Sequence, residues 1–484
     1  MEAYLLGNLR RYTAPLPPPV RKLAYSAAVG ASLSPLGLLV EVLLRLSYRL
    51  RGPHPKSEDK TATFTKEELD AVSYEDIDML NAIPREPTHA GYAVIGGSGF
   101  VGSYIVRLLI LRGETNIRVL DLSPPPSDLA SHSSVSYVRV DMTSATSLSD
   151  GLLTPFPSTG HPPSVIFHTA AAIRFWERVS YAWNASFSVN VIGTKNILDA
   201  ARALPGGAIL VYTSTSDIVI PRPRFLQIGK DYALLPWNDV VVSDADAPLS
   251  ELARSEGCYA RSKTIAEKLV LDADGVDGLR TAAVRPGQTI TGPNDHFYTS
   301  TLTMSPLPIF DQDWSHTDVC VWDVAAAHLS LEDTLRRDPG SVGGEGFLVT
   351  GNGPAWKMQD ARKALEHYSG RTLPFKPISP LLIFVLAHVV EAFLYLRYYF
   401  LLPFFAVVGA RPRLTPLWMG NVTFLQPVTL DYMRDVVIDD SRARKLIGYR
   451  PQWQAAQVMK YTVDQLRSGK ASMQHGLKTR TGDF

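Results

Sequence analysis

From Tyr92 onward, short apolar runs alternate with stretches whose apolar residues recur at helical spacing. The run Ala93-Val-Ile95 ends at Gly96, and Val101, Ile105, Leu108 and Leu109 then share one helical face. Further apolar runs follow at Ile117–Asp121, Val135–Asp141, Ser164–His168, Ala208–Thr213 and Arg280–Pro286. Helical patterns fall at Ala185–Ala203 and Tyr259–Asp272. Strands separated by helices predict an α/β fold, a Rossmann-type, doubly wound parallel sheet. After the sixth run the alternation loosens, which predicts a smaller C-terminal substrate-binding lobe over the carboxyl ends of the strands. The expected organisation is a membrane-associated segment at 1–51, a linker at 52–89, a dinucleotide-binding domain at 90–300, a lobe with late Rossmann elements at 301–468, and a polar tail at 469–484. The linker is polar and proline-punctuated, with one short helical piece near Lys66–Asp78.

Two apolar stretches break this pattern. Leu23–Leu50 is preceded by Arg10, Arg11, Arg21 and Lys22, carries Arg45 and Arg49 at its far end with Arg51 beyond, and is interrupted by Pro35 and Glu41. It reads as an interfacial or anchoring helix rather than a secretory signal, the alternative being a helix docked on the protein's own core. Leu381–Val408 carries His388, Glu391 and Arg397. A clean span of about 20 apolar residues would avoid those groups, so a helix lying in the interface, or a hairpin lining a lipid-accessible pocket, fits better.

Composition narrows the class. The 484 residues hold 48 basic and 47 acidic side chains, a net charge of +1 that suggests no nucleic-acid partner. Two cysteines, Cys258 and Cys320, exclude a disulfide framework and fit a reducing compartment. No metal-ligand spacing occurs. Asn184-Ala-Ser186 and Asn421-Val-Thr423 match a glycosylation sequon, a pattern too short to carry weight.

The chemistry concentrates in two places. At Gly96, Gly99, Phe100, Val101 and Gly102, a strand passes through a glycine turn into a helix, and the backbone there can approach a pyrophosphate resting on the helix N-terminus. Asp121 ends the next strand at about the 20-residue offset of a ribose-binding carboxylate. A carboxylate there repels a 2′-phosphate, and no arginine follows in Leu122–Pro126, so NAD is expected rather than NADP. Downstream, Tyr259 and Lys263 stand four apart and share a helical face, the spacing of an acid/base pair in which an ammonium favours the phenolate.

In chain order these elements resemble the extended short-chain dehydrogenases. His168-Thr-Ala-Ala-Ala172, Asn190-Val-Ile-Gly-Thr-Lys-Asn196, Leu210–Ser216 and Arg285–Asp295 resemble further signatures of that family. Trp322-Asp-Val-Ala-Ala-Ala-His328, the Gly344–Thr350 strand and Ala443–Pro451 point to its 3β-hydroxysteroid dehydrogenase branch. The insert at 381–408 is most similar to sterol-4α-carboxylate 3-dehydrogenases, which decarboxylate. The resemblance covers residues 90 to about 468 and leaves the N-terminal 88 or so outside.

The resemblance implies that Tyr259 takes the substrate's hydroxyl proton, Lys263 supports it, Thr215 holds the substrate oxygen, and Asn190 holds a water or backbone group of the proton relay. The fifth strand reads Thr213-Ser-Thr215 where relatives usually carry serine last; Ser214 is the fallback. Asp141 has two readings, adenine-edge contact or turn cap. His168 reads as a buried strand-end histidine near the cofactor. Arg174 is a candidate for binding a substrate carboxylate, with a plain surface arginine as the preferred reading. The implied activity is NAD-dependent oxidation of the 3β-hydroxyl of a sterol, steroid or triterpenoid, with or without loss of a C4 carboxylate. A reductase or epimerase of a flavonoid or nucleotide-sugar is the alternative, and a non-enzymatic NAD-binding scaffold a weaker one. A membrane surface is the expected partner, a homodimer is compatible, and the endoplasmic reticulum with a cytosol-facing catalytic domain is the expected location.

Overall fold

The computed structural model describes residues 35–50, 64–223, 240–246, 248–249, 254–295, 297–302, 307–310 and 314–469. Arg10, Arg11, Arg21, Lys22, the apolar positions 23–34, Arg51, the first part of the linker (52–63) and the tail from 470 lie outside the described residues. The strands of the main sheet are β1 (Gly91–Ile95), β2 (Asn116–Asp121), β3 (Val135–Arg139), β4 (Val165–His168), β5 (Ile209–Thr213), β6 (Arg280–Pro286) and β7 (Gly346–Val349). The helices used below are α1 (Pro35–Leu50), α2 (Phe100–Arg112), α3 (Ala145–Leu153), α4 (Thr194–Arg202), α5 (Cys258–Leu271), α6 (Val321–Arg337) and α7 (Pro380–Ala406).

The spatial order is β7-β6-β5-β4-β1-β2-β3, and every neighbouring pair is parallel. Side chains alternate between the two faces. Tyr92, Val94, Val119, Phe167, Val211 and Val284 pack with Ile105 and Leu109 of α2 and Ala325 and Leu329 of α6. Ala93, Ile95, Leu120, Ile166 and Leu210 face the other way, onto Leu148, Ile197, Ala266 and Val270 of α3, α4 and α5. Burial on both faces is why the strands read as unbroken apolar runs. This is the doubly wound α/β sheet expected, with the direction of winding reversing beside β1, where open sheets of this kind bind ligands.

Three segments depart from the simple pattern. The linker helix runs only over Lys66–Ala71, closed at its start by a Thr65–Glu68 capping box. It stops short because Tyr74 turns inward to stack on Trp453 and to donate a hydrogen bond to Asp464 at 3.0 Å. The helix expected at 185–203 is three pieces: Trp183–Phe187, a π-helical turn at Ser188–Gly193, and α4. Asn190 sits in the π turn, a feature that often marks functional sites. The late chain forms a small parallel pair, Val240–Ser243 with Val436–Asp439, which returns residues 432–436 to the carboxyl end of the sheet.

The apolar stretches are helical where described. Leu46 and Leu50 of α1 are buried with Trp314, Ile383, Ala387 and Leu430, while Leu38, Leu39, Val40 and Leu44 are exposed. The described end of that helix therefore docks on the protein's own core and leaves an apolar face outward. Among the described residues α7 is the one helix long and apolar enough to cross a membrane.

Candidate active site

The glycine turn is built by steric need. Gly96 has φ +84°, and a Cβ there would lie 2.6 Å from the Ala170 nitrogen. A Cβ on Gly102 would stand 2.2 Å from the Gly96 carbonyl oxygen, so only glycine lets α2 start this close to β1. Gly99 caps α2 without a side-chain bond, which leaves the first-turn amides of Phe100, Val101 and Gly102 for a ligand. Gly96, Gly99, Phe100, Val101 and Gly102 all line one large cavity.

Asp121 ends β2 on the same cavity. Its two oxygens accept the Ser98 and Ser123 amides, each at 3.2 Å, which fixes the carboxylate at the mouth of the turn. Arg118, the arginine of β2, is buried and donates to the carbonyls of Gly151 and Pro155, each at 3.2 Å. Asp141 lines the cavity as well, and its Oδ1 also caps its own turn, accepting the Thr143 amide at 2.9 Å and hydroxyl at 2.7 Å. The amides, the small turn and the acid at the strand end fit a dinucleotide.

Beyond the turn, β5 and α5 bring Ser214, Thr215 and Tyr259 to the cavity wall. The Thr215 hydroxyl accepts the Asp217 amide at 3.2 Å and lines the same wall as the Tyr259 phenol. Ser214, the fallback, is buried, with no partner for its Oγ among the described residues. Burial raises the Tyr259 phenol above its ordinary range and the Asp217 carboxylate raises it further, against a lowering by Thr215. Lys263 is one turn along α5, as the spacing requires, but its Nζ donates to the Thr213 carbonyl at 2.7 Å and lies 4.5 Å over the Tyr212 ring. Burial lowers its ammonium to about 7, opposed by Glu267. The ammonium is thus anchored at the end of β5.

Asn190 commits both amide hydrogens, to the Ala172 carbonyl at 3.0 Å and the Ser262 hydroxyl at 2.9 Å, while its Oδ1 accepts the Ala172 amide at 2.7 Å. It clamps the loop after β4 to α5. His168 is fully buried, hydrogen-bonded through Nε2 to Thr194 Oγ1 at 2.9 Å, and burial keeps it neutral. Arg174 corrects the preferred sequence reading. It is buried rather than a surface residue, and Glu177 takes its guanidinium through two bonds, the Nε one at 2.6 Å. A buried arginine needs such a partner, so its charge is already answered before any substrate arrives.

The cavity has a volume of about 1290 Å³, more than the range of about 300–1,000 Å³ that suits a drug-sized ligand. One end is the glycine turn; the other is formed by Ile383 and Tyr398 of α7 with Val422, Phe424 and Met433. The sequence expectation of a pocket lined by 381–408 reaches Ile383 and Tyr398 in this second half, but not Val422, Phe424 or Met433. Asp217 and Tyr432 were likewise missed: Tyr432 donates to Asp217 Oδ2 at 3.3 Å across 215 residues of chain. The nearest signal was the acid two residues past Thr215.

Residues 93–374 match the 3-beta hydroxysteroid dehydrogenase/isomerase family. The chain belongs to that family. Its members named among the similar proteins are oxidoreductases. The 3 beta-hydroxysteroid dehydrogenase/Delta 5-->4-isomerase of Mycobacterium tuberculosis is 30% identical over 291 residues, 56% of this chain and 68% of that one. The decarboxylating sterol-4-alpha-carboxylate 3-dehydrogenase of Candida albicans is 25% identical over 393 residues, 77% of this chain and 96% of that one. Among solved structures, a UDP-glucose-4-epimerase from Stenotrophomonas maltophila with bound NAD superposes with a TM-score of 0.54 at 14% identity, covering 79% of this chain and 99% of that one. That likeness is one of fold.

Proposed function

We propose that this protein oxidises the 3β-hydroxyl of a sterol, steroid or triterpenoid with NAD, and that a C4 carboxylate, when the substrate has one, leaves as carbon dioxide. The observation that carries the reading is one cavity joining the glycine turn to an apolar lobe, with Tyr259 and Thr215 between the two halves. The names of the family and of the Candida relative support the substrate class. An epimerase or reductase of a nucleotide-sugar would share the fold, but the apolar lobe suits a multi-ring hydrocarbon better than a sugar.

Gly96, Gly99, Phe100, Val101 and Gly102 would hold the pyrophosphate, and Asp121 the ribose, with Asp141 beside the adenine edge. When bound, the dinucleotide accepts the hydride. Thr215 holds the substrate oxygen by its hydroxyl, and Tyr259 takes the hydroxyl proton at its phenolic oxygen. Lys263 supplies positive charge that favours the phenolate, and Asn190 keeps the loop after β4 in register with α5. If a carboxylate sits on the carbon beside the new ketone, the ketone acts as electron sink and no further base is needed.

In this reading residues 90–300 form the dinucleotide domain and 301–468 the substrate lobe. The enzyme works at a membrane surface, with the cytosolic face of the endoplasmic reticulum as the expected site and a homodimer compatible. The test is purified protein with NAD and a 4α-carboxy-3β-hydroxysterol, following NADH and carbon dioxide. Equal yields of both are expected. Absence of NADH with any 3β-hydroxysteroid refutes the proposal.

A further inference from the structure

A second, smaller cavity of about 40 Å³ lies against Tyr259. Its walls include Asp217, Tyr432, Asp431, Arg434 and Arg222, an unusual concentration of charge beside an apolar pocket. The volume suffices for ordered water, which needs polar partners to stay. Arg434 supplies them: it is 2% exposed, and its Nε and Nη1 have no hydrogen-bond partner among the described residues. Its remaining nitrogen bonds the Pro221 carbonyl. Asp217 and Tyr259 line both this cavity and the large one.

We propose that Asp217, with Tyr432 and water in this small cavity, forms a relay that carries the proton away from Tyr259 after each oxidation. The proposal rests on the dehydrogenase reading above. Oxidation breaks the substrate's C–H and O–H bonds; the hydride goes to the nicotinamide and the proton to the Tyr259 oxygen. The phenol must then lose that proton before the next turnover. Asn190, expected to hold a water or a backbone group, holds the Ala172 backbone and the Ser262 hydroxyl, and so has no amide hydrogen left for water. Asp217 is placed to take over: its carboxylate faces Tyr432 and Arg434, its backbone amide is held by the Thr215 hydroxyl, and it shares the walls of both cavities with Tyr259. Burial lifts the Asp217 carboxylate to about 6, so near neutrality it can accept a proton and give it up again. Asp431, lifted by burial to about 7, faces Arg434, Arg178, Arg222 and Glu256. Arg222 pairs with Glu256, whose side chain is half exposed, and this pair marks the way to solvent. Along α5 from Tyr259, Lys263 is faced by Glu267 and by the neutral His168.

The test is Asp217→Asn, which keeps shape and an acceptor for Tyr432 but cannot carry the proton. Preincubated at alkaline pH to set the phenolate and then mixed with NAD and a 3β-hydroxysteroid turned over by the wild type, the variant should release a burst of NADH near one equivalent. A steady rate at least about tenfold below wild type should follow, partly restored by imidazole buffer. Tyr432→Phe, which leaves the carboxylate in place, should show the same burst with a smaller loss, and carries the test if Asp217→Asn does not fold. A mere electrostatic role for Asp217 predicts otherwise: the alkaline limb of the rate moves to lower pH, without burst or buffer rescue, and that result overturns the relay. A wild-type protein that forms no NADH from any 3β-hydroxysteroid removes the underlying reaction, and the relay with it.

Discussion

Lys263 donates through Nζ to the Thr213 carbonyl at 2.7 Å, so the charged end of α5's lysine is anchored to the last residue of β5. It is 2% exposed, and burial brings its ammonium to about 7. In the unfolded chain the same group titrates near about 10.4. Below pH 7 both states hold the proton, and the folded protein bears the full cost of a buried charge. Between about 7 and 10 the unfolded chain binds a proton that the folded one does not, so this group's contribution to stability rises with pH. Lys263→Met should flatten that rise and stabilise the protein at pH 6.5 by on the order of 1–3 kcal/mol, while turnover collapses. Melting curves at pH 6.5 and 9 check this. A large destabilisation at pH 6.5 would show that the Thr213 bond outweighs the buried charge.

Asp121 should set the choice of cofactor. Its oxygens are fixed by the Ser98 and Ser123 amides at the cavity edge, where a 2′-phosphate would meet a carboxylate. Asp121→Ala should narrow the ratio of kcat/KM for NAD over NADP, chiefly by weakening NAD. Equal use of both cofactors by the unaltered protein would contradict the assignment.

Tyr259→Phe keeps the ring against the cavity wall and removes the proton acceptor. Turnover should fall by about 10²–10⁴-fold with NAD affinity unchanged, as read by binding titration and steady-state rates. Because burial and Asp217 both raise the phenol, wild-type oxidation should climb with pH through the alkaline range, the phenolate being the active form. Near-normal turnover in the phenylalanine variant would mean that another base operates.

The sheet and the dinucleotide half of the cavity were legible because each depends on local pattern. Gly102 answers to the Gly96 carbonyl a few residues away, Gly96 to its own left-handed turn, and Asp121 follows from strand length and offset. Tyr259 and Lys263 were found because four residues on one helix fix their common face. Legibility ended where burial, or a partner distant in the chain, decides a side chain's role. Arg174 reads as a surface residue until Glu177 is seen to bond it inside the fold, and Tyr432 has no motif to announce that it meets Asp217. The direction of Lys263 was also invisible: spacing places its Cα, whereas Thr213 decides where the ammonium goes.

The final prediction concerns α7. His388, Glu391 and Arg397 argue from sequence against a plain span, and each has a partner on the protein. His388 Nδ1 donates to the Phe384 carbonyl at 2.8 Å, Arg178 grips Glu391 with bonds of 2.7 and 2.8 Å, and Arg397 donates to the Arg413 carbonyl at 2.9 Å. Tyr398 stacks on Tyr181 with ring centres 4.1 Å apart. The helix thus lies along the catalytic body with Ala387, Leu394 and Tyr398 buried, and turns Leu396, Phe400 and Phe404 outward. Exposed Leu417, Trp418 and Val422 extend this apolar face, and Val422 also lines the cavity. A run of exposed large apolar side chains suits the outer layer of a bilayer. Immersing one such side chain contributes about 1.5–3 kcal/mol. Leu396→Glu with Phe400→Glu should therefore release most of the protein from lipid vesicles in flotation, with the melting temperature little changed, since both side chains project from the body. Turnover of a detergent-dispersed substrate should persist, while turnover of the same substrate held in vesicles falls several-fold. Full recovery of the unaltered protein in a soluble fraction at ordinary salt would rule out the membrane surface as its partner.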